Sequence, residues 1–131
     1  MNGINFKKLA PEIESWIELH APAAATKPTI TKAASGADKR NVCTSICVTL
    51  VANATPTAGG MLVELIDGSS GDATKLWTAR IVVPATVGQG RDITLSNLWI
   101  IGTENTAMTL EATAAPPTNT QATVSMTGVI I

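Results

Sequence analysis

The stretch from Asn41 to Asn53, NVCTSICVTLVAN, constrains this chain more than any other. Val42, Thr44, Ile46, Val48 and Leu50 alternate with Cys43, Ser45, Cys47, Thr49 and Val51, and β-branched residues dominate. Side chains alternate between faces along an extended backbone, so the pattern predicts a long, largely buried strand. Several later segments share the pattern, and each offers a partner strand.

Met61, Val63 and Leu65 alternate with Leu62, Glu64 and Ile66, and the run stops at Asp67-Gly68. Trp77, Ala79, Ile81 and Val83 point one way and Thr78 and Arg80 the other, until Pro84, which cannot donate to a central ladder, ends the strand. Ile93 and Leu95 are in phase, whereas Leu98 and Ile100 are not. A bulge near Ser96-Asn97 would restore the inward set and turn Trp99 outward. Met108, Leu110 and Ala112 alternate with Thr109, Glu111 and Thr113 as in a half-buried strand, and Val124, Met126 and Ile130 oppose Thr123, Ser125 and Thr127. A further short strand is expected at Thr29–Ala33. About seven strands separated by turn signals, with no alternating long helices, predict an all-β fold. The expected architecture is an antiparallel β-sandwich of immunoglobulin-like or jelly-roll type. Its outward faces are rich in Thr and Ser and poor in charge, so they guard sheet edges weakly against pairing with other chains.

Residues 1–21 read differently. In PEIESWIELH, Pro11 suits a first helical position and acids occupy the first turn. Ile13, Trp16, Ile17 and His20 follow helical spacing. The expectation is an N-terminal arm at 1–21 with a short helix, followed by a β-sandwich domain at 22–131. A helix this short must dock to be ordered. Either it packs on its own sandwich or it lays Trp16 and Ile17, extended by Phe6 and Leu9, on a neighbouring subunit. The residues expected at a partner interface are therefore Phe6, Leu9, Ile13, Trp16, Ile17 and the outward Trp99. His20, the single histidine, reads as a C-terminal helix cap.

Chemistry is harder to find. With one histidine outside the sandwich, no Ser-His-Asp or Cys-His constellation is expected, and the chain reads as a non-enzyme without cofactor or small-molecule substrate. The loop Asp67–Asp72, DGSSGD, lacks the alternating acids and terminal glutamate of an EF-hand, so its residues read as turn formers and no metal is expected. GQGR at Gly88–Arg91 precedes no helix and is no phosphate loop. In an unbroken strand Cys43 and Cys47 would lie on one face, about 13 Å apart at about 3.3 Å per residue, too far for a disulfide. Two free thiols acting as small hydrophobes are expected. A net charge of −1 without a basic block argues against nucleic acid. No stretch is long and apolar enough for a membrane span, and the first residues do not read as a signal peptide. The weak net charge also gives copies of the chain little reason to stay apart.

The phrases VCTSICVTL, LIDGSSG, LW followed by a strand ending VPAT, and NTAMTLEATAA carry a resemblance. Over residues 22–131 the chain resembles small β-sandwich virion structural proteins of tailed bacteriophages. It departs from their common pattern in having NVCTS where HVCTS is usual and in ending GVII. The resemblance implies a virion protein assembled in the host cytoplasm, foremost a capsid decoration or cement protein on the head surface. Its partners would be the major capsid protein and copies of itself, with a trimer expected. A tail, neck or fibre component is the second expectation. A carbohydrate-binding module using Trp99 is the third.

Overall fold

The computed structural model describes residues 14–131, and nine strands run through them. They are β1 (Glu14–His20), β2 (Thr29–Lys32), β3 (Asn41–Ala52), β4 (Gly60–Asp67), β5 (Lys75–Val82), β6 (Gly90–Leu95), β7 (Ile100–Ile101), β8 (Met108–Ala112) and β9 (Thr120–Ile130). The strand foreseen at Asn41–Asn53 is β3, and its whole length pairs antiparallel with β9, from Asn41 opposite Ile130 to Ala52 opposite Thr120. Sheet A has the order β1-β9-β3-β6, with β7 also paired to β3. Sheet B has the order β2-β8-β4-β5. Every pairing is antiparallel. Among the described residues β4 and β5 form the one hairpin with its own adjacent partner in sheet B, and most other connections cross between the sheets.

The two sheets share one core. Ile46, Val48, Leu50, Val124 and Met126 come from sheet A, and Met61, Val63, Leu65, Ile81, Met108 and Leu110 from sheet B. Each fully buried Val, Leu or Ile contributes about 1.5–3 kcal/mol through removal from water, which explains why the alternating pattern so strongly sets strand orientation. Ile93, Leu95, Leu98 and Ile100 all pack against this core, as the expected phase correction requires. The correction is a break rather than a single bulge. β6 ends at Leu95, Asn97 takes a positive φ of 57°, and β7 resumes pairing with β3 further along.

A bulge does occur inside β3. The register shifts between Cys43 and Ser45, leaving Thr44 as the extra residue. Phase therefore reverses there, so that Cys43 joins the core while Val42 pairs with Val129 and Ile101 on the opposite side. This corrects the unbroken alternation read from sequence, and with it the placement of Cys43 and Cys47 on one face. Both thiols are free. Burial pushes the Cys43 thiol up to about 11, against a small lowering from its contact with the Ser45 carbonyl, so it stays protonated and inert at neutral pH.

A second correction concerns the N-terminal segment. The helix expected over PEIESWIELH is not formed in its described part, where Glu14–His20 is strand β1, paired along its whole length with β9. Ile13, Phe6 and Leu9 lie outside the described residues. The same letters that fit a helical stripe also alternate, with Trp16, Glu18 and His20 on one face and Ile17 and Leu19 on the other. A ten-residue helix is marginal in water, whereas β9 would otherwise present a row of unpaired backbone groups. Part of the expected arm is thus integral to sheet A. His20 caps no helix; its Nδ1 accepts the Thr29 backbone N–H at 3.0 Å and ties the end of β1 to β2.

Trp16 is buried and Lys32 lies over its ring, 5.9 Å from the centroid. The indole rests on the backbone of Gly128, directly opposite in β9. A Cβ at 128 would run into that ring and into the Val42 carbonyl oxygen, so glycine is required by close approach. The indole N–H has no acceptor among the described residues. Two outcomes follow for urea unfolding. Gly128→Ala should lower stability by about 1–3 kcal/mol through overpacking. Trp16→Phe, which keeps most of the ring and drops the orphaned donor, should change stability by less than about 1.5 kcal/mol, whereas Trp16→Ala should lose about 3–5 kcal/mol.

Candidate interface

The outer faces of the two sheets differ in what covers them. On sheet B, strand β8 is buried on both sides: Thr109 and Glu111 point away from the core yet are 0% and 3% exposed. The loop after β4 closes over them. Thr109 Oγ1 donates to the Gly68 carbonyl at 2.8 Å and shares a 2.9 Å contact with Thr31 Oγ1. The Glu111 carboxylate accepts from Ser70 Oγ at 2.5 Å and the Gly71 backbone N–H at 3.0 Å, and it pairs with Lys27 Nζ at 3.1 Å. Asp72 caps the same loop by accepting from the Ser69 N–H, and Asp67 accepts from the Thr103 N–H. The acids and glycines of DGSSGD thus serve the turn and clasp it to β8. Among the described residues no group of three or more His, Cys, Asp or Glu side chains is arranged to hold a metal ion.

Sheet A has no such loop over it among the described residues, although Val42 on its outer side is fully buried. Its outer face runs in rows set by the strand register. Ile17, Thr127 and Ser45 form one row, and Leu19, Ser125, Cys47 and Thr94 the next. Thr123, Thr49 and Asp92 follow on one side, and Ser15, Val129, Val42 and Ile101 on the other. Asp92 carries the one charge in these rows. Many of the hydroxyls already satisfy one another: Thr127 Oγ1 lies 3.1 Å from Thr44 Oγ1 and 2.5 Å from Ser45 Oγ, and Thr94 Oγ1 donates to Asp92 at 3.1 Å. Polar groups paired in this way lose less when water is excluded than hydroxyls that depend on water for their partners.

Between Ile17, Thr44, Thr127 and Val129 the face dips into a shallow, open depression of about 470 Å³. Large apolar side chains are exposed at both margins of sheet A: Ile17 (71% exposed) and Leu19 (65%) on β1, and Trp99 (57%) and Ile101 (44%) at β7, with β9 and β3 between the two pairs. Trp99 lies between Leu98 and Ile100, both packed on the core, so its ring is turned away from the interior. Exposed apolar residues scattered singly are ordinary on any protein; here they flank a face whose rows carry one charge, Asp92.

Of the interface residues expected from sequence, Ile17 and Trp99 are outward and exposed, whereas Trp16 belongs to the core. Trp16 and Ile17, adjacent on a helical stripe in the sequence reading, are sent to opposite faces by the strand. Leu19 and Ile101 were not singled out. Strand alternation would have pointed to Leu19 beside Ile17, had the segment been read with a period of two. Ile101 carries the same signal as Trp99, because the alternation that sets Leu98 and Ile100 inward turns both Trp99 and Ile101 outward.

No protein-family model, curated protein or solved structure matches this chain.

The Glu111 clasp gives the fold a pH dependence. Burial alone would raise the Glu111 pKa, but hydrogen bonds from Ser70, Lys27 and Gly71, with the Lys27 charge, outweigh it and hold the carboxyl below its usual value. A carboxylate with a depressed folded pKa contributes stability that is complete above its unfolded pKa of about 4.3 and is lost as pH falls through the folded value. Urea midpoints measured from pH 7 to pH 3 should therefore fall more steeply for the wild type than for Glu111→Gln, which should be the less stable protein at pH 7.

Proposed function

We propose that this protein is a structural component of a tailed-bacteriophage virion, foremost a decoration protein that sits on the capsid surface. The observation that carries the reading is the low-charge outer face of sheet A, with exposed apolar side chains at its margins, Ile17 and Leu19 on β1 and Trp99 and Ile101 at β7, and with the hydroxyls of Thr44, Ser45 and Thr127 bonded to one another between them. A protein that staples its neighbours needs a broad, low-charge surface and no reaction chemistry. About 800 Å² buried per partner, repeated across a symmetric shell, adds stability without any covalent bond. The strand orders β1-β9-β3-β6 and β2-β8-β4-β5, with the chain passing repeatedly from one sheet to the other, favour the jelly-roll version of the sandwich. Viral capsid and lectin domains both use that architecture, so it agrees with a virion role and does not by itself choose one. The sequence resemblance to phage virion proteins supplies the choice, with the major capsid protein and further copies of this chain as partners.

Trp99 favours one rival. A solvent-exposed indole is a place where a sugar ring can stack, and a host-surface carbohydrate module would use it.

Quantitative mass spectrometry of purified virions separates these readings. A copy number equal to that of the major capsid protein, or a simple fraction of it, is the expected result for a shell-covering protein. A few dozen copies or fewer would move it to the tail, neck or fibres, and absence from particles would overturn the virion reading. Trp99→Ala combined with Ile17→Asp should leave β-type circular dichroism intact and abolish attachment to undecorated capsids. Glycan binding lost on Trp99→Ala would instead favour the carbohydrate module.

A further inference from the structure

The outer edge of β1 carries an arrangement that the virion reading does not use. Among the described residues β1 pairs with β9 on one side and with no strand on the other, leaving its edge-facing N–H and C=O groups available to another chain. Natural edges are commonly guarded by charged side chains, proline or a bulge. β1, ESWIELH, has no lysine, proline or bulge and its register with β9 is regular from Glu14 to His20; its charges are Glu14 and Glu18, which bar pairings that set one acid against another and leave open those that do not. Its two outward apolar residues, Ile17 and Leu19, are the most exposed large hydrophobic side chains among the described residues.

We infer that β1 is the self-pairing edge of this protein, joining antiparallel to β1 of a second copy about a two-fold axis at Ile17. The charges choose both the occupant and the register. In a symmetric antiparallel pair, residues equally far from the axis on either side face each other, and directly opposed side chains share a face. With the axis at Ile17, all seven residues of β1 find partners: Ile17 meets Ile17, Ser15 meets Leu19, Trp16 meets Glu18 and Glu14 meets His20. An axis at Trp16 would set Glu14 against Glu18, and an axis at Glu18 would set that acid against itself, arrangements that like-charge repulsion disfavours. Axes at Ser15 or Leu19 would leave most of the strand unpaired.

The remaining polar groups fit the same register. His20 Nδ1 accepts the Thr29 N–H, so the neutral ring carries its proton on Nε2, a donor for the Glu14 carboxylate of the second copy. Lys32 Nζ lies over the Trp16 ring and forms no salt bridge among the described residues. The Glu18 of the second copy, opposite Trp16, would bring a carboxylate beside that ammonium. Each interaction occurs twice across the axis. On the outer face, Ile17 and Leu19 of each copy would form one apolar strip across the joint, extending the sheet A face over two molecules. The pairing is two-fold, unlike the trimer expected above, and it would form in the isolated protein without any capsid.

The register makes the test specific. In the full chain carrying Cys47→Ser, to remove the half-exposed native thiol, cysteine is introduced at 17 or at 19. Opposed residues across an antiparallel pair have Cα atoms about 4.5–5.5 Å apart, within disulfide reach. Leu19 and its symmetry mate would lie about 13 Å apart at about 3.3 Å per residue, beyond it. Mild oxidation should convert Ile17→Cys largely to a covalent dimer and leave Leu19→Cys monomeric on non-reducing gels. Analytical ultracentrifugation should show the unmodified protein at twice its 13.5 kDa mass. Ile17→Lys, which opposes two ammonium groups on the axis, should halve that mass with unchanged circular dichroism. A monomeric or trimeric unmodified protein would overturn the proposal, as would equal cross-linking at 17 and 19 or a dimer that survives Ile17→Lys.

Discussion

The pairing of β3 with β9 is the constraint on which the rest of the structure depends. It joins residues 41–52 to residues 120–130, far apart in the described chain, and it places both strands at the centre of sheet A. Once these two are in register, β1 can attach only to the far side of β9 and β6 and β7 only to the far side of β3. The inward side chains of both strands, Ile46, Val48, Leu50, Val124 and Met126, supply sheet A's half of the core. Contacts so distant in sequence carry a large loop-closure entropy, so the domain belongs with the slow-folding, non-local topologies.

Glycine at 128 sits at the point where this central pairing meets the N-terminal strand. The β3 bulge brings Cys43 opposite Gly128, and the missing side chain there leaves room for the Trp16 indole. Sequence irregularity in one strand, a glycine in the second and a large aromatic in the third are thus one packing solution. It explains how a segment with helical spacing came to be a strand: the docking site for Trp16 exists only when β3 and β9 are already paired.

The two outer faces differ in how their polar side chains are covered and satisfied. Sheet B buries Thr109 and Glu111 under the loop after β4, and a network of hydroxyl, amide and ammonium donors satisfies the carboxylate there. Sheet A has no such cover among the described residues, and there Thr44, Ser45 and Thr127 bond to one another and Thr94 to Asp92. A surface in that condition binds another surface at a low desolvation cost, which is the physical basis for reading it as an assembly face.

The sequence by itself determined the strands with clean alternation, because burial of a β-branched side chain on one face is a local and strong signal. β3, β4, β5, β8 and β9 were legible in this way, and so was the outward turn of Trp99. Only the tertiary structure decided the β3 bulge, the strand state of Glu14–His20, the burial of Trp16 and the cover over Glu111. Each of these depends on a partner far away in the chain: the bulge on Gly128 and Thr127, β1 on the open side of β9, and the Glu111 clasp on Lys27, Ser70 and Gly71. The letters ESWIELH satisfy a period of 3.6 and a period of two almost equally well. Backbone hydrogen bonding to β9 chose between them, and no local pattern records where such an edge will be.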